Sequence, residues 1–181
     1  MAGEESKAGQ FEELAVPLFD SLYNFAHWMT QNREEAEDLV QETYVKALKG
    51  FNSFQLGTNF KAWMFRILRN TFLTSRTGLQ ARMTVALDLE EDSATLPITQ
   101  QTPESIAMDN ATREMLQESI ERLPVNFREV LLLCDVEGMA YQEIADTLSI
   151  PIGTVMSRLA RARKTLREDL SKKIQRTEMR L

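Results

Sequence analysis

Two stretches carry residue types whose spacing suits a polyanion. In "GTVMSRLARARKTL" (153–166), Arg158, Arg161, Arg163 and Lys164 share one short run, with Arg167 just beyond. In "NFKAWMFRILRNTFLTSR" (59–76), Lys61, Arg66, Arg69 and Arg76 alternate with Phe60, Trp63, Phe65 and Phe72. Cations neutralise phosphates, and rings stack on unpaired bases. The first stretch therefore suits duplex nucleic acid and the second a single strand. For either, a solvated basic helix face is the plain alternative.

Residues for bond-making chemistry are scarce. His27 is the only histidine and sits inside an apolar helical pattern. Cys134 is the only cysteine and follows "VLLL", reading as a small core residue, with a redox sensor as the lesser alternative. One cysteine allows no intrachain disulfide and no CxxC pair, which fits a reducing, cytoplasmic compartment. There is no glycine-rich phosphate loop, and no carboxylate pair stands outside charged helix faces. The reading is of a protein that is not an enzyme, with no metal site and no cofactor.

The chain has 181 residues and a formal charge of −6, unevenly placed. Residues 1–42 carry −8, 43–87 carry +7, 88–121 carry −8, 122–150 carry −3 and 151–181 carry +6. Two basic blocks in an acidic chain point to two surfaces for a polyanion. The start, "MAGEESKAGQ", is polar and reads as no secretory leader. The longest apolar run, Val130 to Cys134, is far short of the ~20 residues needed to span a bilayer, so no membrane insertion is expected.

Helical periodicity dominates. Phe11, Leu14, Ala15, Leu18, Leu22, Phe25, Ala26 and Met29 predict one helix over 11–29. Asn32 is a good N-cap for a second, with Glu34 and Glu35 in its first turn and Ala36, Leu39, Val40, Thr43 and Ala47 as its inward stripe. The basic-aromatic stretch is a third. Periodicity fades from about 82 to 104, where acidic, polar sequence with Pro97 and Pro103 reads as a linker. Helices resume near Ser105, broken at Pro124, Gly138, Pro151 and Gly153. The expectation is an all-α chain of two small helical domains joined by a flexible acidic linker.

Helical geometry sorts the faces. With Val155 at 0° and about 100° per residue, Leu159, Ala162 and Leu166 fall within about 40° of it. Ser157, Arg161 and Lys164 lie opposite. Met156, Ala160 and Arg167 flank one side, Thr154 and Arg158 the other. Small residues near the N-terminal end, after a short break from a preceding helix, give the layout of a helix-turn-helix recognition helix. In the third helix, Lys61, Phe65, Arg69, Phe72 and Arg76 share a face, while Trp63 and Ile67 lie opposite as predicted core, with Phe60 read as core too; the alternative is that most of these rings are core. On 36–48, Val45 sits amid Asp38, Gln41 and Glu42 on the outer face. That is either an interface pattern or a solvated helix face.

"AEDLVQETYVKAL", "GTNFKAWMFRILRN" and "LPVNFREVLLLCDVEGMAYQEIADTLSIPIGTVMSRLARARKTL", in this order, resemble the extracytoplasmic-function (ECF) sigma factors, the minimal members of the bacterial sigma-70 family. The resemblance covers 11–80 and 110–170. It implies a sigma-2-like domain over 1–85, a linker over 86–112 and a sigma-4-like domain over 113–181. It implies docking of Asp38, Gln41, Glu42 and Leu48 on the β′ clamp helices of RNA polymerase, with the β flap as a further contact. Asn59, Lys61, Phe65, Arg66, Arg69, Asn70 and Arg76 would act at the −10 element. Thr154, Met156, Ser157, Arg158, Ala160, Arg161 and Lys164 would act at the −35 element. The expected function is promoter-directed transcription initiation for a stress or envelope regulon. The alternative is a stand-alone helix-turn-helix regulator.

Two features depart from commoner patterns. Arg66 and Ile67 stand near the place of the tandem tryptophans of housekeeping sigma factors, implying weaker melting and stricter promoter choice. Met156 replaces a common Lys or Arg. The form "PIGTVMSRL" resembles the thiol-oxidative-stress branch, which implies a zinc-binding anti-sigma partner.

Overall fold

The structure is a computed structural model that describes residues 2–77 and 110–178, with side chains over 7–76 and 114–175. The predicted linker falls outside the described residues up to position 109. Every described element is helical. The described residues divide into two compact units. One holds those up to 77 together with Gln142–Ile150, and the other holds those from 110 to Tyr141 and from Pro151 onward.

In the first unit, the single helix predicted over 11–29 is two. Helix α1 spans Ala2–Ala15, a 3-10 turn takes Val16–Leu18, and α2 spans Phe19–Thr30. Pro17 is the cause: it offers no N–H and its ring clashes with the carbonyl four residues back. The break changes the register, so Phe11 and Ala15 are buried while Leu14 faces outward. Helix α3 (Arg33–Gly50) begins as predicted, with the Asn32 side chain accepting from the Glu35 N–H at 3.1 Å. Its predicted inward stripe is the buried one.

A 3-10 turn at Phe51–Ser53 leads to α4 (Phe60–Thr77). Helix α3 packs against both α2 and α4. Leu22, Met64, Phe65 and Leu68 are fully buried, each contributing about 1.5–3 kcal/mol by removal from water. The Phe65 ring meets Phe25 edge-on at 5.3 Å. Phe11, Phe51, Phe54, Phe60 and Trp63 form a second cluster, with Phe54 and Trp63 centroids 5.0 Å apart.

In the second unit, α5 (Asn110–Glu121) and α6 (Val125–Leu131) both pack on the long C-terminal helix. Pro124 caps α6, as its lack of an N–H allows. Buried Arg128 on α6 reaches back to the end of α5 and donates to the carbonyls of Ile120 (3.1 Å), Glu121 and Leu123 (2.8 Å). It satisfies acceptors that a helix C-terminus leaves open. Helix α6 then widens into a π turn at Leu132–Val136, closed by Glu137 N–H donating to Leu132 O. Gly138 takes φ +66, which breaks the chain as the sequence predicts. Helix α7 spans Tyr141–Leu148 and, from Gln142 on, belongs to the first unit; the last helix, α8, spans Ile152–Glu178 in the second. Gly153, predicted as a break, lies inside the first turn of α8.

Candidate nucleic-acid interface

The chain between α7 and α8 is short and tightly specified. Ser149 takes φ +55, and the Ile150 N–H reaches back to Ala145 O at 3.1 Å. This is a Schellman-type helix end with serine where glycine is usual. Pro151 follows, and its carbonyl accepts from Thr154 N–H (2.9 Å) and Val155 N–H (3.2 Å) to start α8. The sequence "LSIPIGT" thus ends one helix and starts the next within three residues.

Val155, Leu159 and Ala162 are buried, as the wheel predicts. Met156, Ser157, Arg161 and Lys164 are exposed, and Thr154 and Ala160 are half-buried beside them. Arg158 does not join this surface. Its guanidinium lies 3.5 Å from the Glu129 carboxylate on α6, with side chains only 12% and 3% exposed. The sequence placed Arg158 among the DNA contacts; the structure turns its guanidinium onto Glu129. Two carboxylates, Glu129 and Asp135, were the missed partners. Asp135 in the π turn takes Arg163 through Nε (3.2 Å) and Nη2 (2.5 Å). Beside this pair, burial pushes the half-buried Cys134 thiol up from its ordinary pKa, a setting that keeps it protonated.

Helix α4 is turned from the predicted aspect. Phe65 is 0% exposed and Phe72 is buried, so neither ring offers a base-stacking surface. Trp63 and Ile67, predicted as core, are half-buried. The core stripe is Met64, Phe65, Leu68, Thr71 and Phe72. Arg66 and Asn70 are exposed, and Lys61 and Arg69 are half-buried. The Lys61 ammonium sits 5.9 Å from the Phe65 ring centroid. Asn59 caps α4 by accepting from Ala62 N–H at 2.9 Å. Arg76 is exposed, lies over Phe72 at 4.9 Å and is 3.6 Å from Glu35. Exposed Leu73 was missed; the apolar pair Met64 and Leu68, four apart, is the signal that would have fixed the buried face.

On α3, Asp38, Gln41, Glu42 and Leu48 are all exposed, with Val45 and Leu48 each 51% exposed. Glu42 pairs with Lys46 one turn on, at 2.7 Å. Beside this face, Glu35, Asp38, Leu39, Glu42, Phe72 and Arg76 line an open groove of about 390 Å³. Among the described residues, no helix is long and apolar enough to cross a membrane.

The chain thus carries a basic helix entered through a tight proline turn and, on α3, an acidic helix face with an apolar centre. Residues 18–82 match the family described as Sigma-70 region 2, and residues 113–166 match Sigma-70, region 4. The chain belongs to the sigma-70 family, among the ECF RNA polymerase sigma factors. It is 37% identical over 172 residues to the ECF RNA polymerase sigma factor SigE of Mycolicibacterium smegmatis, covering 94% of this chain and 65% of that protein. It is 36% identical over 152 residues to the ECF RNA polymerase sigma factor EcfG of Rhodopseudomonas palustris, covering 84% and 78%. Among solved structures it is similar to the sigma factor RpoE in complex with the anti-sigma factor NepR from Bartonella quintana. That likeness has 30% identity and a TM-score of 0.68 and covers 90% of this chain and 97% of that one.

Proposed function

We propose that this chain binds core RNA polymerase and directs transcription initiation at a particular class of promoters, with no catalytic step of its own. The observation that carries the reading is the presence of both sigma-70 regions, in order, in one short chain. A stand-alone regulator has use for the second alone. The region matches support a division into 1–85, a linker over 86–112, and 113–181.

In this reading Asp38, Gln41, Glu42 and Leu48 dock on the β′ clamp. Their exposure around Val45 fits a polar-rimmed apolar contact. Arg66 and Asn70, with Asn59, Lys61, Arg69 and Arg76 around them, act on the −10 strand. Met156, Ser157, Arg161 and Lys164, flanked by Thr154 and Ala160, read the −35 duplex. The protein works in the cytoplasm, where polymerase is, and answers a stress signal through an anti-sigma protein. The "PIGTVMSRL" form supports a place in the thiol-oxidative branch, with a zinc-binding regulator.

The test is run-off transcription from a promoter library with core polymerase, alone and with this chain. Promoter-specific products that need both components are expected. Specific, tight binding of the chain to duplex without polymerase, and no products, would establish the stand-alone regulator instead.

A further inference from the structure

Two ion pairs bracket the apolar seam of α8. With Val155 at 0°, Arg158 stands at about −60° and Arg163 at about +80°. Between them run Val155, Leu159 and Ala162, all buried. Both arginines reach the same neighbour: Arg158 pairs with Glu129 on α6, and Arg163 pairs with Asp135 in the π turn that continues α6. One pair is nearly enclosed, and the other holds its carboxylate through two nitrogens.

An apolar seam of small and branched side chains resists separation of two helices better than it resists rolling of one. Side chains about 6 Å from the helix axis move about 2 Å for a 20° roll. Base contacts require placement to about 0.5 Å. Charged partners on opposite flanks oppose roll in both directions, because either rotation pulls one pair apart. Leaving Glu129 buried without its cation is strongly unfavourable.

We infer that Arg158 and Arg163 are positioning residues: by pairing with Glu129 and Asp135 they fix the roll of α8, and so set the sequence discrimination of the exposed face that carries Met156, Ser157, Arg161 and Lys164. The inference rests on the reading of α8 as the −35 helix. It assigns two of the basic block's cations to carboxylates of the protein itself, not to phosphate.

Holoenzyme from this chain and core polymerase transcribes a library randomised at the upstream element, giving a selected sequence. Yields on selected and scrambled elements are then compared, and promoter binding is titrated against salt. Glu129→Gln removes a negative charge, which favours DNA on electrostatic grounds alone. The expected result is nonetheless about a tenfold fall in the selected-to-scrambled ratio, with an unchanged salt slope. A phosphate-contacting Arg158 predicts the opposite: Arg158→Ala lowers the slope by about one, and Glu129→Gln strengthens binding to both duplexes equally. That pattern overturns the inference. A wild-type holoenzyme that selects no upstream sequence overturns the reading beneath it instead. If circular dichroism shows that Glu129→Gln unfolds, Asp135→Asn at the more exposed pair replaces it. A two- to threefold fall is expected there, and an unchanged ratio overturns the inference.

Discussion

The Tyr44 hydroxyl donates a 2.7 Å hydrogen bond to the Ala15 carbonyl, 29 residues away. That carbonyl would have accepted from Phe19 had the helix continued, but the Phe19 N–H turns to Val16 instead. A side chain on α3 therefore completes the break that Pro17 makes. Tyr44→Phe is expected to lower stability by about 1 kcal/mol, read by urea denaturation at pH 7.

The same phenol gives a pH dependence. Burial, followed by the nearby Asp20 charge, raises its pKa above the ordinary value of 10.0. A raised folded-state value means that this stabilisation is complete below pH 10 and is lost as pH rises through the folded value. Melting between pH 8 and 11 should show wild type losing more stability than Tyr44→Phe. Parallel curves would remove Tyr44 from the alkaline transition.

Helix α4 separates two neighbours cleanly. Phe65→Ala opens a cavity in a fully enclosed site and is expected to cost about 3–5 kcal/mol, read by thermal melting. Arg66→Ala, one residue on and exposed, should leave the melt within about 0.5 kcal/mol while reducing open-complex formation, read by permanganate footprinting. A stable Phe65→Ala variant would reverse the face assignment.

Gln41→Ala with Glu42→Lys should preserve the helical circular dichroism spectrum, because both side chains are exposed and the Glu42–Lys46 pair is a surface one worth only about 0.3–0.5 kcal/mol. Pull-down with core polymerase should show a clear loss of binding. Undiminished capture would place the docking face elsewhere.

Arg161→Ala should weaken discrimination at the upstream element by about 1–3 kcal/mol if the guanidinium grips a base edge through two hydrogen bonds. Competition against random duplex at fixed salt is the measurement. Equal losses on both would make it a backbone contact.

What was legible in the sequence depended on whether one pattern had a rival. Asn32 with two glutamates after it has one sensible reading, and the cap is there. Val155, Leu159 and Ala162 lie opposite Ser157, Arg161 and Lys164, so the buried side of their helix was plain. Helix α4 has rings on two sides, and counting aromatics could not choose between them; Met64 and Leu68 beside Phe65 and Phe72 decide it in the fold. The Glu129 partner of Arg158 was hidden for a different reason. A basic residue in a basic run looks like its neighbours until the carboxylate 29 positions earlier is brought against it. Pro17 was visible, and its break follows from local chemistry alone.

The aromatic cluster beside α4 supplies the molecule with its own reporter. Of the two tryptophans, Trp63 lies half-buried on the helix that carries Arg66, its ring tilted 43° to Phe54 and 37° to Phe60. An indole at such a boundary changes its emission wavelength when water around it is displaced or admitted. In the proposed reading, strand separation against α4 is followed in real time as the difference in emission between wild type and Trp63→Phe, which keeps Trp28, with no attached dye.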